Sequence, residues 1–203
     1  MSTSTPFPIK TDGDPSTISP RRFSVAEYHK LAEVGVLRED DRVELIDGVI
    51  SSKMVHSPVH DAIVSWIEQQ LRPHLLDGWF LRIQSTITLD DASEPEPDLA
   101  VVRGTPLTYL QQHPQGSSVA LVIEVAETSL GRDRYKATAY ARAGIPAYWI
   151  VNLKQRRIEA FRGPDGAEYR ESNLLGLEDG LAVELGFADE TRFNVADLIP
   201  TVG

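Results

Sequence analysis

The most sustained hydrophobic pattern in the chain is Val119-Ala120-Leu121-Val122-Ile123-Glu124-Val125-Ala126, an apolar run broken by a single carboxylate. A run without polar alternation is what a central strand buried on both faces requires. Side chains alternate between faces along a strand. Leu121, Ile123 and Val125 therefore share one face, and Val122, Glu124 and Ala126 the other. A second apolar run, Leu99-Ala100-Val101-Val102, follows Glu96-Pro97-Asp98. A third, Ala147-Tyr148-Trp149-Ile150-Val151, follows Gly144-Ile145-Pro146. Both read as further core strands.

Elsewhere the period changes. Leu81, Ile83, Ile87 and Leu89 alternate with Arg82, Gln84, Thr86 and Thr88, which predicts a half-exposed strand. Ile63, Val64, Ile67 and Leu71 form a helical stripe. That helix starts at Ser57-Pro58, runs to about Leu76 and is ended by Asp77-Gly78. Ser24-Val25-Ala26-Glu27 is a capping box opening a short helix to about Glu33. Arg42 to Ile46, Asp47-Gly48 and Val49 to Met54 predict a hairpin.

The linker between the strands at 98–103 and 119–126 is turn-rich, with a helical turn near Leu107 to Leu110. A helix is expected from about Gly131 to Ala143. After the strand at 147–151 the chain returns through Lys154-Gln155 into Arg157 to Phe161. A turn at Gly163 to Gly166 then leads to a polar strand near Ala167 to Arg170. Leu181 to Leu185 and a short helix, Val195 to Leu198, close the chain. This order predicts an α/β fold with a mixed central sheet flanked by helices, the strand–helix–strand unit at 119–151 being parallel.

Composition narrows the class. The 203 residues are most simply one domain, spanning 21–203, after a Ser/Thr/Pro-rich tail over 1–20 that is expected to be disordered. The tail lacks a signal peptide's basic start and apolar centre, which makes the cytoplasm the expected compartment. The absence of cysteine excludes disulfides, thiolate zinc sites and a cysteine nucleophile. No apolar run approaches transmembrane length. Thirty acidic against twenty basic residues, a formal charge of -10, argue against non-specific coating of nucleic acid. A local basic cleft remains compatible with that charge, and a bound divalent cation would reverse the local sign.

Glu124 is the misfit, because an ionised carboxylate inside an apolar strand is costly unless it is paired or binds a metal. If the strand at 98–103 lies alongside, Asp98 sits near it. Two close carboxylates repel unless one is protonated or a cation lies between them. Two carboxylates, a backbone carbonyl and waters suit Mg²⁺ (or Mn²⁺), which can activate a water and stabilise charge on a phosphate oxygen. On the following helix Asp133, Lys136 and Tyr140 fall at i, i+3 and i+7 and share a face. If that face looks back over the strand, Lys136 can orient the water or neutralise the phosphate. Plainer readings stand beside these. Glu124 could be buried against an arginine, Asp98 could be a strand-start residue, and Lys136 a solvated helix lysine. Glu44 stands beside the hairpin turn, and His60 lies in the first turn of its helix. Among His29, His56, His74 and His113 no spacing suggests zinc. A P-loop, a dinucleotide glycine fingerprint and a Gly-x-Ser-x-Gly elbow are all absent from the sequence.

Several of these residues stand in a known order. Glu44-Leu45-Ile46-Asp47-Gly48, His60, Pro97-Asp98-Leu99, Ile123-Glu124-Val125, Asp133 with Lys136 and Tyr140, and Ile145 to Val151 resemble the Uma family. That family, whose members carry the description "putative restriction endonuclease", was long labelled a domain of unknown function and belongs to the PD-(D/E)XK nuclease superfamily. The resemblance covers about residues 22–200. It implies a restriction-endonuclease-like fold, with Asp98 and Glu124 as metal-binding carboxylates and the Val125 carbonyl as a further ligand. Glu44 would be an accessory acid. Two positions depart from the pattern. The superfamily's lysine two residues after the glutamate is Ala126 here, and the resemblance points to Lys136 as the substitute amine. Where the family has a Ser-Pro-like turn, this chain has Ala126-Glu127-Thr128-Ser129.

The expected activity is Mg²⁺-dependent hydrolysis of DNA. A nuclease-fold binding or regulatory module without catalysis is the alternative, and hydrolysis of another phosphate ester is a third reading. Cutting both strands would suit a homodimer, for which Tyr148, Trp149 and the following hairpin are the candidate interface.

Overall fold

A computed structural model describes residues 20–200, apart from 39, 54, 184, 185, 189 and 190. Apart from Pro20, the expected N-terminal tail lies outside the described residues, as do the last two positions of the strand expected at 181–185.

Helix α1 (Val25–Glu33) begins at the expected capping box. The Ser24 hydroxyl accepts from the Glu27 amide at 3.2 Å, and the Ser24 amide donates back to the Glu27 carboxylate at 3.0 Å. No residue of α1 is buried, and these two bonds close its N-terminal turn. Ser24→Ala is expected to cost about 1 kcal/mol of helix stability. Amide exchange of the first turn should quicken by about fivefold while the central strands are unaffected. Unchanged exchange in that turn would contradict the reading.

Strands β1 (Val43–Ile46) and β2 (Val49–Ser52) form the predicted hairpin, with Asp47 and Gly48 both at positive φ, 49° and 74°. That is the left-handed pair a two-residue turn needs. A Cβ on Gly48 would also lie 2.7 Å from the Arg22 Cβ. The hairpin is held to the body by a backbone bridge between Leu45 and Glu94.

Helix α2 (Pro58–Leu71) is capped by the Ser57 hydroxyl, which accepts from the His60 amide, and buries Ile63, Val64, Ile67 and Leu71. A 3₁₀ turn over Arg72–His74 takes the place of its expected last turn. The remaining elements are β3 (Trp79–Ile83), β4 (Leu99–Arg103), β5 (Val119–Ala126), α3 (Leu130–Arg142), β6 (Ala147–Asn152), β7 (Arg157–Asp165), β8 (Glu168–Leu175), β9 (Gly180–Ala182), β10 (Arg192–Asn194) and α4 (Val195–Leu198). A single 3₁₀ turn, Pro106–Tyr109, stands where the linker's helical turn was expected.

Strands β3 to β8 form one six-stranded mixed sheet in sequence order. Only β5 and β6 are parallel, joined by α3 as the sequence predicts. The fold is mixed α/β with helices on both faces. On one face Leu121, Ile123 and Val125 pack with Trp149, Val151 and the stripe of α2, together with Val195 and Leu198 of α4. On the other, Val122 and Ala126 pack with Tyr148, Ile150 and, from α3, Ala139 and Tyr140. Glu124 belongs to the α3 face by alternation.

Two expectations are corrected. The strand at 81–89 stops at Ile83, because Gln84 adopts φ 44° and turns the chain away from β4. Ile87 and Leu89 then bond to Pro95 and Ser93 and bury themselves in the α3-side core from a loop. Their alternation is real, but it belongs to an extended loop. Tyr148 and Trp149 also cannot supply a subunit interface, since both are buried within the protein's own core at 0% and 1% exposure. Among the described residues no helix is long and apolar enough to cross a membrane.

Candidate metal-dependent active site

The site lies at the C-terminal end of β5. Strand β4 runs antiparallel to β5, with Leu99 opposite Ile123. Asp98 is one residue beyond that last pair, so the next step of the ladder brings it beside Glu124. The Val125 amide donates to Asp98 Oδ2 at 2.8 Å, and His60 Nε2 on α2 reaches the same oxygen at 3.1 Å. Both N–H and C=O of a strand residue point to one flank, so the Val125 carbonyl faces the Asp98 side as well.

Helix α3 crosses the other side of the cleft. Lys136 Nζ lies 2.9 Å from Glu124 Oε1 and 2.9 Å from Glu44 Oε2. Tyr140, one turn on, donates its hydroxyl to the same Glu124 oxygen at 2.9 Å. The hairpin folds over this point and delivers Glu44, whose Oε1 lies 2.8 Å from Lys136 Nζ without a hydrogen bond. Glu44, Asp98, Glu124 and Lys136 are 1%, 7%, 5% and 2% exposed. Asp133 lines the cleft, but its carboxylate accepts from Ser129 at 2.5 Å and makes no ion pair with Lys136. Ala126 is buried in the core on the α3 face. The ammonium beside Glu124 is that of Lys136, from α3.

Electrostatics set these groups apart. Burial pushes Glu124 up to about 8, aided by Asp98, Asp133 and Glu44 and opposed by Lys136. Burial also presses on Lys136, but Glu124 and Glu44 outweigh it and hold the ammonium above its ordinary value. For Asp98, burial is outweighed by the His60 hydrogen bond and charge and by the Val125 amide, so its carboxyl falls below the usual range. Asp98 is thus held as the carboxylate, while burial favours the protonated form of Glu124.

This has a consequence for stability. The folded chain keeps a proton on Glu124 up to about pH 8, whereas an unfolded glutamate releases it near 4.5. Between those values the folded state binds more protons, so this group's contribution falls as pH rises. Without divalent cations, the urea midpoint of the wild type should drop relative to Glu124→Gln between pH 5.5 and 8.5. A difference that is flat, or grows the other way, would contradict this.

Residues beyond those singled out in the sequence also converge here. His56 stacks on His60 with ring centroids 4.1 Å apart, and with Asp98 they bring one ligand atom each within 4.8 Å of one another. The four-residue spacing of His56 and His60 is the available signal, obscured because His56 precedes the helix. Lys53 lines the cleft mouth, paired with Glu96. Arg132 lines it too, donating to the Ser52 carbonyl at 2.7 Å while its buried Nε takes no partner. The cleft leaves about 40 Å³, room for about three or four occupants of water size at about 10–15 Å³ each.

Comparison with known proteins gives a family and a fold. The model of the Uma2 family, described as "Putative restriction endonuclease", matches residues 25–196. A crystal structure of a putative nuclease belonging to DUF820 from Anabaena variabilis ATCC 29413 superposes with a TM-score of 0.64 at 18% identity. The match covers 87% of this chain and 97% of that one, and at such identity it shows a shared fold. No curated protein matches.

Proposed function

The chain belongs to the Uma2 family of putative restriction endonucleases, and we propose that it hydrolyses DNA phosphodiester bonds with a hard divalent cation, Mg²⁺ or Mn²⁺. The observation that carries this reading is the division of labour on the two buried carboxylates. Asp98 Oδ2 takes both of that residue's donors, and Glu124 Oε1 takes both of its own. Among the described residues nothing donates to Asp98 Oδ1 or Glu124 Oε2. These two oxygens and the Val125 carbonyl would supply an all-oxygen donor set of the kind that suits Mg²⁺ or Mn²⁺. The strain of burying Glu124 beside other acids is what a cation there would relieve. When bound, such an ion lowers the pKa of a water and stabilises charge on a phosphate oxygen.

The remaining residues hold and orient. Lys136 has three N–H groups, and two are taken by Glu44 and Glu124. The third is available to a nucleophilic water or a phosphate oxygen beside Glu124. Glu44 pins the ammonium from the hairpin, and Tyr140 fixes the rotamer of Glu124. In-line attack of water on phosphorus would expel a sugar oxygen. Arg132, which lines the cleft, offers positive charge to the flanking backbone despite the net acidity of the chain.

The test is incubation of supercoiled plasmid and of single-stranded DNA with Mg²⁺, Mn²⁺ or excess EDTA. Nicked or linear products with either ion and none with EDTA are expected. Equal cleavage in EDTA would overturn the reading. Binding of DNA without cleavage under any ion would favour a nuclease-fold binding module.

A further inference from the structure

The imidazole side of Asp98 is not used by the oxygen-lined position above. His60 Nε2 stands 3.1 Å from Asp98 Oδ2. Two ligand atoms each about 2.1 Å from one ion, at a right angle, lie about 3.0 Å apart. This pair therefore already has chelating separation. The opposite ring nitrogens are occupied. His60 Nδ1 is 3.4 Å from Asp61 Oδ1, and His56 Nδ1 is 3.3 Å from that same oxygen and 2.9 Å from Gln84 Nε2. A histidine that binds metal characteristically gives its second nitrogen to a carboxylate or other polar group, which fixes the tautomer. Asp61 on α2 accepts from His60 Nδ1, which leaves His60 Nε2 as a ligating nitrogen, while Gln84 and Asp61 hold the ring of His56 beside it in the same cluster.

We propose a second cation subsite formed by His56, His60 and Asp98, which takes an imidazole-binding divalent ion of the Zn²⁺ class in preference to Mg²⁺. Two imidazoles and one carboxylate, with a fourth position left to water, match the donor set of open zinc sites. Mg²⁺ prefers an all-oxygen octahedron and sheds its waters reluctantly. The subsite rests on the nuclease reading only through Asp98, which would bridge the two positions. An ion here would replace the proton that now lies between His60 and Asp98.

The experiment is calorimetric titration of the full chain with Zn²⁺ in the presence of a large excess of Mg²⁺. One Zn²⁺ should bind in spite of the Mg²⁺. Its affinity should fall by about 10- to 100-fold in Asp61→Asn, where only the orienting carboxylate is lost. His56→Gln and His60→Gln should each weaken it further, and His56, the less buried of the two, provides the variant that folds if His60→Gln does not. Glu124→Gln should leave Zn²⁺ affinity within about threefold. Undiminished Zn²⁺ binding in the His56→Gln/His60→Gln double variant would overturn the subsite, as would no binding over Mg²⁺. Loss of Zn²⁺ binding in Glu124→Gln would also overturn it, by showing one merged site. Failure of the nuclease reading is seen separately, as Mg²⁺-dependent cleavage that survives Glu124→Gln.

Discussion

Lys136→Met is expected to reduce metal-dependent DNA cleavage by about 10²- to 10³-fold, the cost of removing one preorganised donor from developing charge. The same substitution should destabilise the protein by about 3–5 kcal/mol near pH 8, because it leaves two buried carboxylates without their cation. Lys136 is 2% exposed and is the ammonium that pairs with both Glu44 and Glu124. Water cannot easily replace it there. The two readouts separate the roles of the lysine. A purely structural Lys136 would lower stability and leave the rate per folded molecule intact. A rate within threefold of wild type would remove the ammonium from the chemistry. Activity is best compared at temperatures where both proteins are fully folded.

Much of this site is legible in the order of residues along the chain. Glu124 stands out as the one carboxylate in an otherwise apolar central strand, a misfit that burial energetics makes costly. Asp98 follows from strand adjacency, because a strand start one step beyond the ladder falls beside the neighbouring strand's residue. Lys136 and Tyr140 follow from helical phase. One face of α3 has to look back on β5 if the strand–helix–strand unit is to close, and both side chains reach Glu124 Oε1.

What is not legible depends on contacts distant in sequence. Glu44 matters because the hairpin lies over the cleft through the Leu45–Glu94 bridge, a contact no local pattern encodes. His56 stands outside the helix whose phase would pair it with His60, so the shared Asp61 contact is hidden. The strand expected at 81–89 fails for a backbone reason. Alternation reports which side chains are buried and not which strand supplies the hydrogen bonds, and Gln84 turns the chain at positive φ. Tyr148 and Trp149 look adhesive in sequence, yet such large side chains in a central strand are core on both faces.

In the proposed mechanism Glu124, with Asp98, holds the cation that drives phosphodiester hydrolysis. This role is tested most directly by plasmid cleavage in Mg²⁺ or Mn²⁺, with wild type and Glu124→Gln purified side by side. Glutamine keeps the volume of the side chain and an acceptor for Lys136 and Tyr140, but it removes the charge that binds the ion. The packing around Glu124, which is 5% exposed between β5 and α3, should therefore survive. The expected result is a loss of at least about 10³-fold in cleavage, on the scale of removing a group that stabilises charge at the reacting centre. The loss should appear with both ions while the folded state is retained. Equal cleavage by the two proteins would contradict the claim and remove Glu124 from the chemistry.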